Sequence, residues 1–113
     1  MHELSIVLSI VDTAEEKVRE NNAQCVERIE LVIGTLAGVD SHALDFAWEI
    51  GVKDTVLQSA VREINLIPGK AKCIACAVEF EINEIFEPCP ICGDHLIQII
   101  GGKELQIRSM TLN

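Results

Sequence analysis

At 113 residues the chain has room for one compact unit, or for a small domain that carries a smaller metal-stabilised lobe. Nine Lys and Arg against 18 Asp and Glu give a formal net charge of -9, which disfavours a nucleic-acid surface because such surfaces are built from basic patches. The apolar fraction of 49% is ample for an aliphatic core, yet no apolar run reaches the roughly 18 residues that a membrane span requires.

Residues 4 to about 21 carry the pattern of an amphipathic helix. The apolar residues recur at spacings of three and four, which predicts one buried stripe of Leu4, Val7, Leu8, Val11, Ala14 and Val18. Charged residues from Glu15 to Glu20 occupy the other face, and Asn21-Asn22 ends the run. The first three residues are therefore the cap or the leading edge of this helix.

A strand, a second helix and a second strand are predicted next. Residues 26–36 suit a strand because β-branched and aliphatic residues are interspersed with charged ones. Asp40 or Ser41 can cap a helix over 42–52. The apolar side of that helix is predicted to hold Leu44, Ala47, Trp48 and Gly51, broadened by Phe46 and Ile50. Residues 60–68 then form the second strand.

The following segment contains two Cys-x-x-Cys pairs, Cys73 with Cys76 and Cys89 with Cys92. Two intervening residues make a tight knuckle, so two such pairs can present four thiolates to one tetrahedral metal. Without a visible signal peptide, this spacing favours a metal over two disulfides or four buried apolar cysteines. A closed thiolate set is typical of structural zinc, and iron is the main competitor because the second pair, followed by Gly93, also looks like a rubredoxin knuckle.

The rest of the chain is predicted to be strands. Alternation of apolar and polar residues predicts a short strand over 78–82, and a further strand is expected over 96–100. Gly101-Gly102 suits a two-residue turn into a last strand over 103–112. The alternation of that strand slips near Arg108-Ser109, which predicts a bulge.

The simplest assembly of these elements is an α+β fold. The first, second and last strands form a three-stranded sheet, and both helices cover one face of it. The segment with the two Cys-x-x-Cys knuckles is an inserted zinc ribbon-like lobe. We therefore expect an α+β domain of residues 1–68 and 101–113, and a zinc-binding lobe of residues 69–100.

Several features together resemble one known family over essentially the whole chain. The sequence starts with Met1-His2-Glu3-Leu4-Ser5 and a long helix, followed by a strand and loop with Val32-Ile33-Gly34. The second helix contains Leu44, Phe46 and Ala47, and the metal-binding segment starts Pro68-Gly69-Lys70-Ala71-Lys72-Cys73 and ends Cys89-Pro90-Ile91-Cys92-Gly93. This combination is similar to the HypA/HybF family of hydrogenase nickel-incorporation proteins.

The resemblance implies a metallochaperone that helps to insert nickel into nickel–iron hydrogenase and, in some organisms, supports urease. It implies a nickel-handling GTPase and the hydrogenase large-subunit precursor as partners. The acidic composition and the lack of a membrane-length apolar run lead us to expect no nucleic-acid and no membrane partner. The implied ligands of structural Zn2+ are Cys73, Cys76, Cys89 and Cys92. The implied ligands of weakly held Ni2+ cargo are Met1, His2 and Glu3. Residues 1–68 and 101–113 are then a nickel-binding domain. Because the first knuckle lacks polar side chains, backbone amides are expected to stabilise the sulfurs.

The first three residues can chelate nickel on chemical grounds. Nickel(II) suits nitrogen ligands in a square plane. The α-amine of Met1, with a free pKa of about 8, forms fused chelate rings with the amide and imidazole of His2. The amide of Glu3 or an outside donor completes the square, while the Glu3 side chain hydrogen-bonds, balances charge or meets a partner. Taken alone, His2 is better explained as an exposed side chain at a helix start, and the resemblance reverses that preference.

The remaining candidate groups suit structural roles. His42 is expected to be a surface or capping residue. His95 is expected to be exposed; its alternative roles are a hydrogen-bond donor to a zinc ligand, an alternative zinc ligand or a nickel relay. Cys25 suits a small buried residue, and an unpaired thiol fits a reducing cytoplasm. No nucleophile–base pair, paired carboxylates or phosphate-binding glycine loop is visible, so we expect a cytoplasmic non-enzyme.

Three other functions stay open at this point. One is a zinc-stapled adaptor for protein interactions that transfers no nickel. The second is a nucleic-acid-binding zinc ribbon, which the acidic composition disfavours. The third is a rubredoxin-like electron carrier, which is disfavoured because most of the chain lies outside the metal-binding segment.

Overall fold

The computed structural model describes residues 3–113, which form helices and strands in an α+β arrangement. In chain order these are α1 (Glu3–Glu20), β1 (Val26–Gly34), α2 (Ser41–Gly51), β2 (Val61–Ile67), β3 (Gly69–Cys73), β4 (Glu79–Ile82), β5 (Ile97–Gly101) and β6 (Leu105–Leu112). The strands make two three-stranded sheets with the orders β2-β1-β6 and β4-β3-β5. The predicted fold class is confirmed. Neither helix within this range is long and apolar enough to cross a membrane.

The chain divides into two compact units, which are described separately. The helical unit is formed by the chain up to Leu31, by Val39–Ile64 and by Ile107–Asn113. The cysteine unit is formed by Val32–Gly38 and Asn65–Gln106.

The first helix of the helical unit is amphipathic, as predicted, but its buried face is shifted. The buried residues are Ile6, Val7, Ile10, Val11, Ala14 and Val18, which follow the helical period. Leu4 and Leu8 were predicted to be part of the stripe, and both side chains are almost half exposed. The first half of α1 is apolar around much of its circumference, so the spacing alone does not determine which side faces the core. That choice is made by packing.

The second helix starts at a side-chain cap. Asp40 has extended backbone angles, and its carboxylate accepts hydrogen bonds from the backbone N–H groups of His42 at 2.9 Å and Ala43 at 3.0 Å. Of the two caps that the sequence allowed, Asp40 is therefore the one used.

The apolar side of α2 is narrower than predicted. Leu44, Ala47 and Trp48 are buried, whereas Phe46 and Ile50 are exposed. The prediction that the latter two broaden the buried face was wrong. Residues two positions apart on a helix point in directions roughly 200° apart, so Phe46 lies on the side opposite Leu44.

The two helices approach closely at Gly51. A Cβ atom at this position would lie 2.5 Å from Cγ1 of the fully buried Val7, far inside normal contact distance. The branched side chain of Val7 has little freedom to move away. The last residue of α2 is therefore a glycine because the side chain of α1 occupies the space of a Cβ atom.

A polar contact joins α2 to β2. The guanidinium of Arg62 lies 5.2 Å from the centroid of the Trp48 ring, and its Nη2 atom lies 2.5 Å from Oδ1 of Asp45. Cation–π attraction and the ion pair thus act on the same side chain. Arg62 of β2 therefore interacts with two side chains of α2.

The cysteine unit contains a strand that the sequence analysis missed. β3 is the central strand of its sheet and pairs antiparallel with β4 and with β5. Its segment Lys70-Ala71-Lys72 is polar, lacks β-branched residues and follows Pro68-Gly69, so it was interpreted only as the start of the metal-binding segment. Pairing with two neighbours, rather than local propensity, makes this segment a strand.

The predicted two-residue turn at Gly101-Gly102 was also wrong. Gly101 is the last residue of β5, and β5 and β6 belong to different sheets, so these strands are not a hairpin. Gly102 has φ of 105°, and a Cβ atom there would lie 2.5 Å from the Cα atom of Gly69. This glycine permits a close approach of two backbone segments within the cysteine unit. In β6 the side-chain alternation does slip at the predicted place, because Arg108 and Ser109 are both exposed.

Candidate metal centre

The central strand of the cysteine unit leads into the first knuckle. Cys73 is the last residue of β3 and lies opposite Ile97 of β5. Its backbone N–H donates to the carbonyl of Val78 at 2.9 Å, and the N–H of Ile74 donates to the carbonyl of Leu96 at 3.1 Å. The pairing of β3 with β5 therefore brings the first knuckle beside the chain that leaves the second knuckle.

Both knuckles are closed by the same kind of backbone turn. The N–H of Ala77 donates to the carbonyl of Cys73, and the N–H of Gly93 donates to the carbonyl of Cys89, each at 2.9 Å. Ala77 and Gly93 both have positive φ, 63° and 74°. Glycine adopts this conformation without penalty, whereas alanine is strained in it. The second knuckle is thus the relaxed one and the first is the strained one.

The four predicted zinc ligands converge. The Sγ atoms of Cys73, Cys76, Cys89 and Cys92 all lie within 4.8 Å of one another. The Sγ atoms of Cys73 and Cys92 are 3.6 Å apart, as are those of Cys76 and Cys89. A tetrahedral zinc with Zn–S bonds of about 2.3 Å places its sulfurs roughly 3.8 Å apart. These spacings fit a tetrahedral thiolate site and exceed the roughly 2.05 Å of a disulfide bond.

The burial of the four cysteines alternates. Cys73 and Cys89, the first cysteine of each knuckle, are buried, whereas Cys76 and Cys92 are exposed. Within residues 3–113, the group of side chains that could hold a metal consists of these four cysteines and includes no histidine. A site with four thiolates and no open position is typical of structural metal rather than of catalysis.

Backbone amides facing the sulfurs make one thiol acidic. The N–H of Cys92, followed by that of Ile91 and by neighbouring sulfurs, lowers the pKa of Cys89 to about 7, although burial opposes the shift. Amide donation to sulfur was expected from the apolar first knuckle and occurs in both knuckles. The cluster therefore contains one cysteine that is already substantially ionised at neutral pH.

The exposed cysteines behave in the opposite way. The N–H of Asp94 lowers the pKa of Cys92, but the sulfur of Cys73, burial and the other sulfurs outweigh it and raise this pKa to about 12. The N–H of Val78 lowers the pKa of Cys76, yet burial and neighbouring sulfurs raise it overall. Four thiolates this close repel one another, so they ionise together only when a cation lies between them. The donor set thus fits a divalent metal.

The predicted nickel ligands lie at the other end of the chain. Met1 and His2 lie outside the described residues. Glu3 is the first residue of α1 and is half-buried, and its Oε2 atom accepts a hydrogen bond from the backbone N–H of Asp40 at 3.1 Å. This bond spans 37 residues and ties the start of α1 to the cap of α2 within the helical unit. The sequence carries no signal for it, because each of the two residues looks like an ordinary helix-terminal acid.

The other candidate residues are not part of the cluster. His42 and His95 are exposed. Cys25 is free and half-buried, and its backbone pairs with that of Asn113. No structural feature among these residues adds a ligand to the four cysteines.

Fold and site together define a class: a small α+β protein with four converged cysteines that fit a closed metal site. Comparison with known proteins narrows this class. A family model described as hydrogenase/urease nickel incorporation, metallochaperone, HypA, matches residues 1–112.

Individual relatives agree with the family model. The hydrogenase maturation factor HypA of Parabacteroides distasonis is 41% identical over 112 residues, covering 99% of this chain and 97% of the relative. That of Francisella philomiragia is 40% identical over 113 residues, with all of both chains covered. The chain belongs to the HypA family, whose members are nickel metallochaperones of hydrogenase maturation. Its motifs predicted this family.

Solved structures support the same assignment. The solution structure of the nickel metallochaperone HypA from Helicobacter pylori superposes with a TM-score of 0.68 at 26% identity, covering 99% of this chain and 97% of that one. A second solution structure of a HypA protein gives a TM-score of 0.71, also at 26% identity, covering 100% and 97% of the two chains.

Proposed function

We propose that this chain binds Ni2+ at its N-terminus and helps to deliver it to the large-subunit precursor of nickel–iron hydrogenase. The observation that carries the proposal is the family match over residues 1–112 combined with the Met1-His2-Glu3 start. The relatives are named hydrogenase maturation factors, and the related Helicobacter pylori protein is named a nickel metallochaperone. Urease as a further client is supported by the description of the family.

We assign structural Zn2+ to Cys73, Cys76, Cys89 and Cys92. The convergence and spacing of their sulfurs support this assignment. Bound there, zinc supplies a cross-link between the two knuckles and neutralises charge on the thiolates. The closed tetrahedral set suits zinc and does not suit nickel, which prefers nitrogen ligands in a square plane. The two metals are thereby kept at separate places in the proposed division into a nickel-binding domain (1–68 and 101–113) and a zinc-binding lobe (69–100).

The nickel site in this proposal consists of the α-amine of Met1, the amide and imidazole of His2, and the amide of Glu3. Its ligands come from consecutive residues, so in this proposal the chelate forms without help from the fold. The Glu3 carboxylate has a different task in this proposal. Its hydrogen bond from the N–H of Asp40 supports a role in fixing the start of α1 to the N-cap of α2.

The proposed partners are a nickel-handling GTPase and the hydrogenase large-subunit precursor. The chain itself is proposed to be non-catalytic and cytoplasmic, and any nucleotide hydrolysis belongs to the GTPase. The names of the relatives support this assignment because they describe a maturation factor rather than a catalyst.

Calorimetric titration of Ni2+ into untagged, zinc-loaded protein tests the nickel site. Three variants are compared with the parent: His2→Ala, a chain extended by one N-terminal residue, and His42→Ala as a control with a different exposed histidine. We expect one binding site that is lost in the first two variants and retained in the control. The extension removes no side chain, so its effect reports on the terminal amine alone.

Other outcomes point to other functions. Nickel binding that is unchanged in both terminal variants would place the site elsewhere, with His95 as the next residue to replace. If the parent itself binds no nickel, a zinc-stapled interaction adaptor is the better account. A red protein with the absorption of ferric tetrathiolate would indicate iron in the cysteine cluster instead of zinc.

A further inference from the structure

The cysteine unit exposes apolar side chains around its metal-binding end. Ile74 lies within the first knuckle and Ile91 within the second, and both side chains are exposed. Ile85 and Phe86 lie on a turn just before the second knuckle, and Phe86 is 85% exposed. Each knuckle isoleucine is adjacent to a cysteine of the convergent cluster, and Phe86 is three residues from Cys89, a span of at most about 11 Å. We refer to Ile74, Ile85, Phe86 and Ile91 as the knuckle patch.

The turn that presents Phe86 is held by its own polar groups. The carboxylate of Glu87 accepts hydrogen bonds from the backbone N–H groups of Asn83 and Glu84. The N–H of Glu87 in turn donates to the carbonyl of Glu84 at 3.4 Å. Phe86 therefore stands on an ordered turn rather than on a loose loop. A contact residue on an ordered backbone turn loses less conformational entropy on binding than one on a loop that must first be ordered.

The chain around the knuckle patch carries more acidic than basic residues. Residues 73–102 contain no Lys or Arg. Their charged residues are Glu79, Glu81, Glu84, Glu87 and Asp94. Two lysines on β3 face β4: Lys70 pairs with Glu79 at 3.1 Å and lies opposite Glu81, and Lys72 lies opposite Glu79. The five carboxylates still outnumber these two cations. Exposed apolar side chains with a charged rim are the composition of a protein-binding surface.

The charge decides what the surface can bind. An anionic membrane or a nucleic acid would be repelled by these carboxylates. A second copy of the same chain would bring the same acidic rim against its own. In a segment with Lys or Arg beside an apolar side chain, the cation can pair with the carboxylates and the apolar side chain can pack on the exposed Phe86 ring.

We propose that the knuckle patch is a docking site for a segment of a partner protein in which Lys or Arg flanks an apolar anchor. Phe86 is the principal contact, and the carboxylates of Glu81 and Glu84 set the charge preference. The site is separate from the N-terminal nickel chelate and does not depend on it.

Photo-crosslinking in cells that are assembling hydrogenase identifies the occupant. A benzoylphenylalanine replaces Phe86 in the full-length protein, and a matched probe replaces Phe46, the exposed phenylalanine of the helical unit. We expect the probe at position 86 to capture a protein segment with Lys or Arg within a few residues of an apolar side chain. The probe at position 46 should not capture that segment.

Binding of the captured partner to purified, zinc-loaded variants then tests the contacts. We expect Phe86→Ala to weaken binding by about tenfold or more, as for a central aromatic anchor. Glu81→Lys should weaken it about threefold or more and reduce its salt dependence, because an attraction becomes a repulsion. Phe46→Ala is the matched control and should have no effect. Zinc content and nickel titration of each variant show that both metal sites are intact.

Several results would overturn the proposal. In the crosslinking experiment, these are an adduct with a second copy of the chain, an adduct with a segment that lacks Lys and Arg, or no adduct beyond that of the position 46 probe. In the binding experiment, it is partner binding that is insensitive to Phe86→Ala. Because Phe86→Ala leaves the terminal chelate untouched, these failures are distinguishable from a failure of the nickel proposal, which the calorimetric titration of His2→Ala reports.

Discussion

The helical unit and the cysteine unit are stabilised in different ways. The helical unit buries aliphatic side chains from helices, strand and loop, including Val7, Ile29, Leu44 and Leu57 with almost no exposure. The buried apolar residues of the cysteine unit are Ile33, Ala71, Cys73, Ile82 and Cys89. Two of these five, Cys73 and Cys89, are among the four cysteines to which we assign zinc. A core of this size is too small to hold a sheet together by itself, so we expect the helical unit to rely on the hydrophobic effect and the cysteine unit on the proposed metal.

Removal of the metal should therefore unfold the cysteine unit and leave the helical unit folded. This is the largest effect we expect. Chelation, or Cys89→Ser, should abolish the dispersion of amide signals from β3, β4 and β5 in NMR spectra. Signals from α1 and α2 should persist, because their core contains no cysteine ligand. A cooperative loss of both sets of signals would show that the helical unit also depends on the metal.

Acidification should reproduce this loss, because the metal competes with protons for the thiolates. With the pKa of Cys92 raised to about 12 and that of Cys76 also raised, metal binding at neutral pH displaces protons from these thiols. Below the Cys89 pKa of about 7, it displaces a proton from that thiol as well. Zinc affinity should fall as the pH falls, by roughly tenfold per pH unit for each proton displaced, and more steeply below pH 7. Competition with a zinc indicator between pH 8 and pH 6 measures this slope.

In the helical unit, the largest single-residue effect is expected at Leu44, which is fully buried on α2. Leu44→Ala should lower the free energy of unfolding of this unit by about 2–5 kcal/mol, through lost burial and the cavity that remains. Denaturant titration followed by the NMR signals of α1 and α2 measures the change. Zinc content should stay the same, and its loss in this variant would contradict the independence of the two units.

The close helix approach gives a smaller effect. Gly51→Ala places a methyl group 2.5 Å from Cγ1 of Val7 and should cost about 1–3 kcal/mol of stability. The cause is testable with a double-mutant cycle, because Val7→Ala removes the obstructing atom. In the Val7→Ala background, the additional cost of Gly51→Ala should be much smaller. Additive costs would show that another contact is responsible.

The smallest effect concerns the strained knuckle. Ala77→Gly should stabilise the cysteine unit by up to about 1 kcal/mol, because φ of 63° strains alanine and not glycine. Gly93→Ala is the matched reverse change in the second knuckle and should destabilise by a similar amount. Zinc retention against a chelator is the measurement. If both changes weaken retention, the strain argument fails.

The contrast between the units also explains what could be predicted from the sequence. α1, α2 and the cysteine cluster depend on local spacing, and all were predicted. The exposure of Leu8 and Phe46 was not, because both helices offer more apolar surface than the core can cover and long-range packing selects the buried side. β3 was missed because its stability comes from its two neighbouring strands and not from its own residues. Similarly, the bond between Glu3 and Asp40 joins residues that nothing in the sequence connects.

The position of Trp48 has a consequence for spectroscopy. The chain contains one Trp and no Tyr, and this Trp is buried in the helical unit with the Arg62 guanidinium over its ring. Ultraviolet emission from the protein therefore reports on one unit only. A thermal melt followed by fluorescence records the unfolding of the helical unit. It does not detect unfolding of the cysteine unit at a lower temperature. Cobalt in place of zinc would give the cysteine unit its own spectroscopic signal, because cobalt–thiolate complexes absorb visible light.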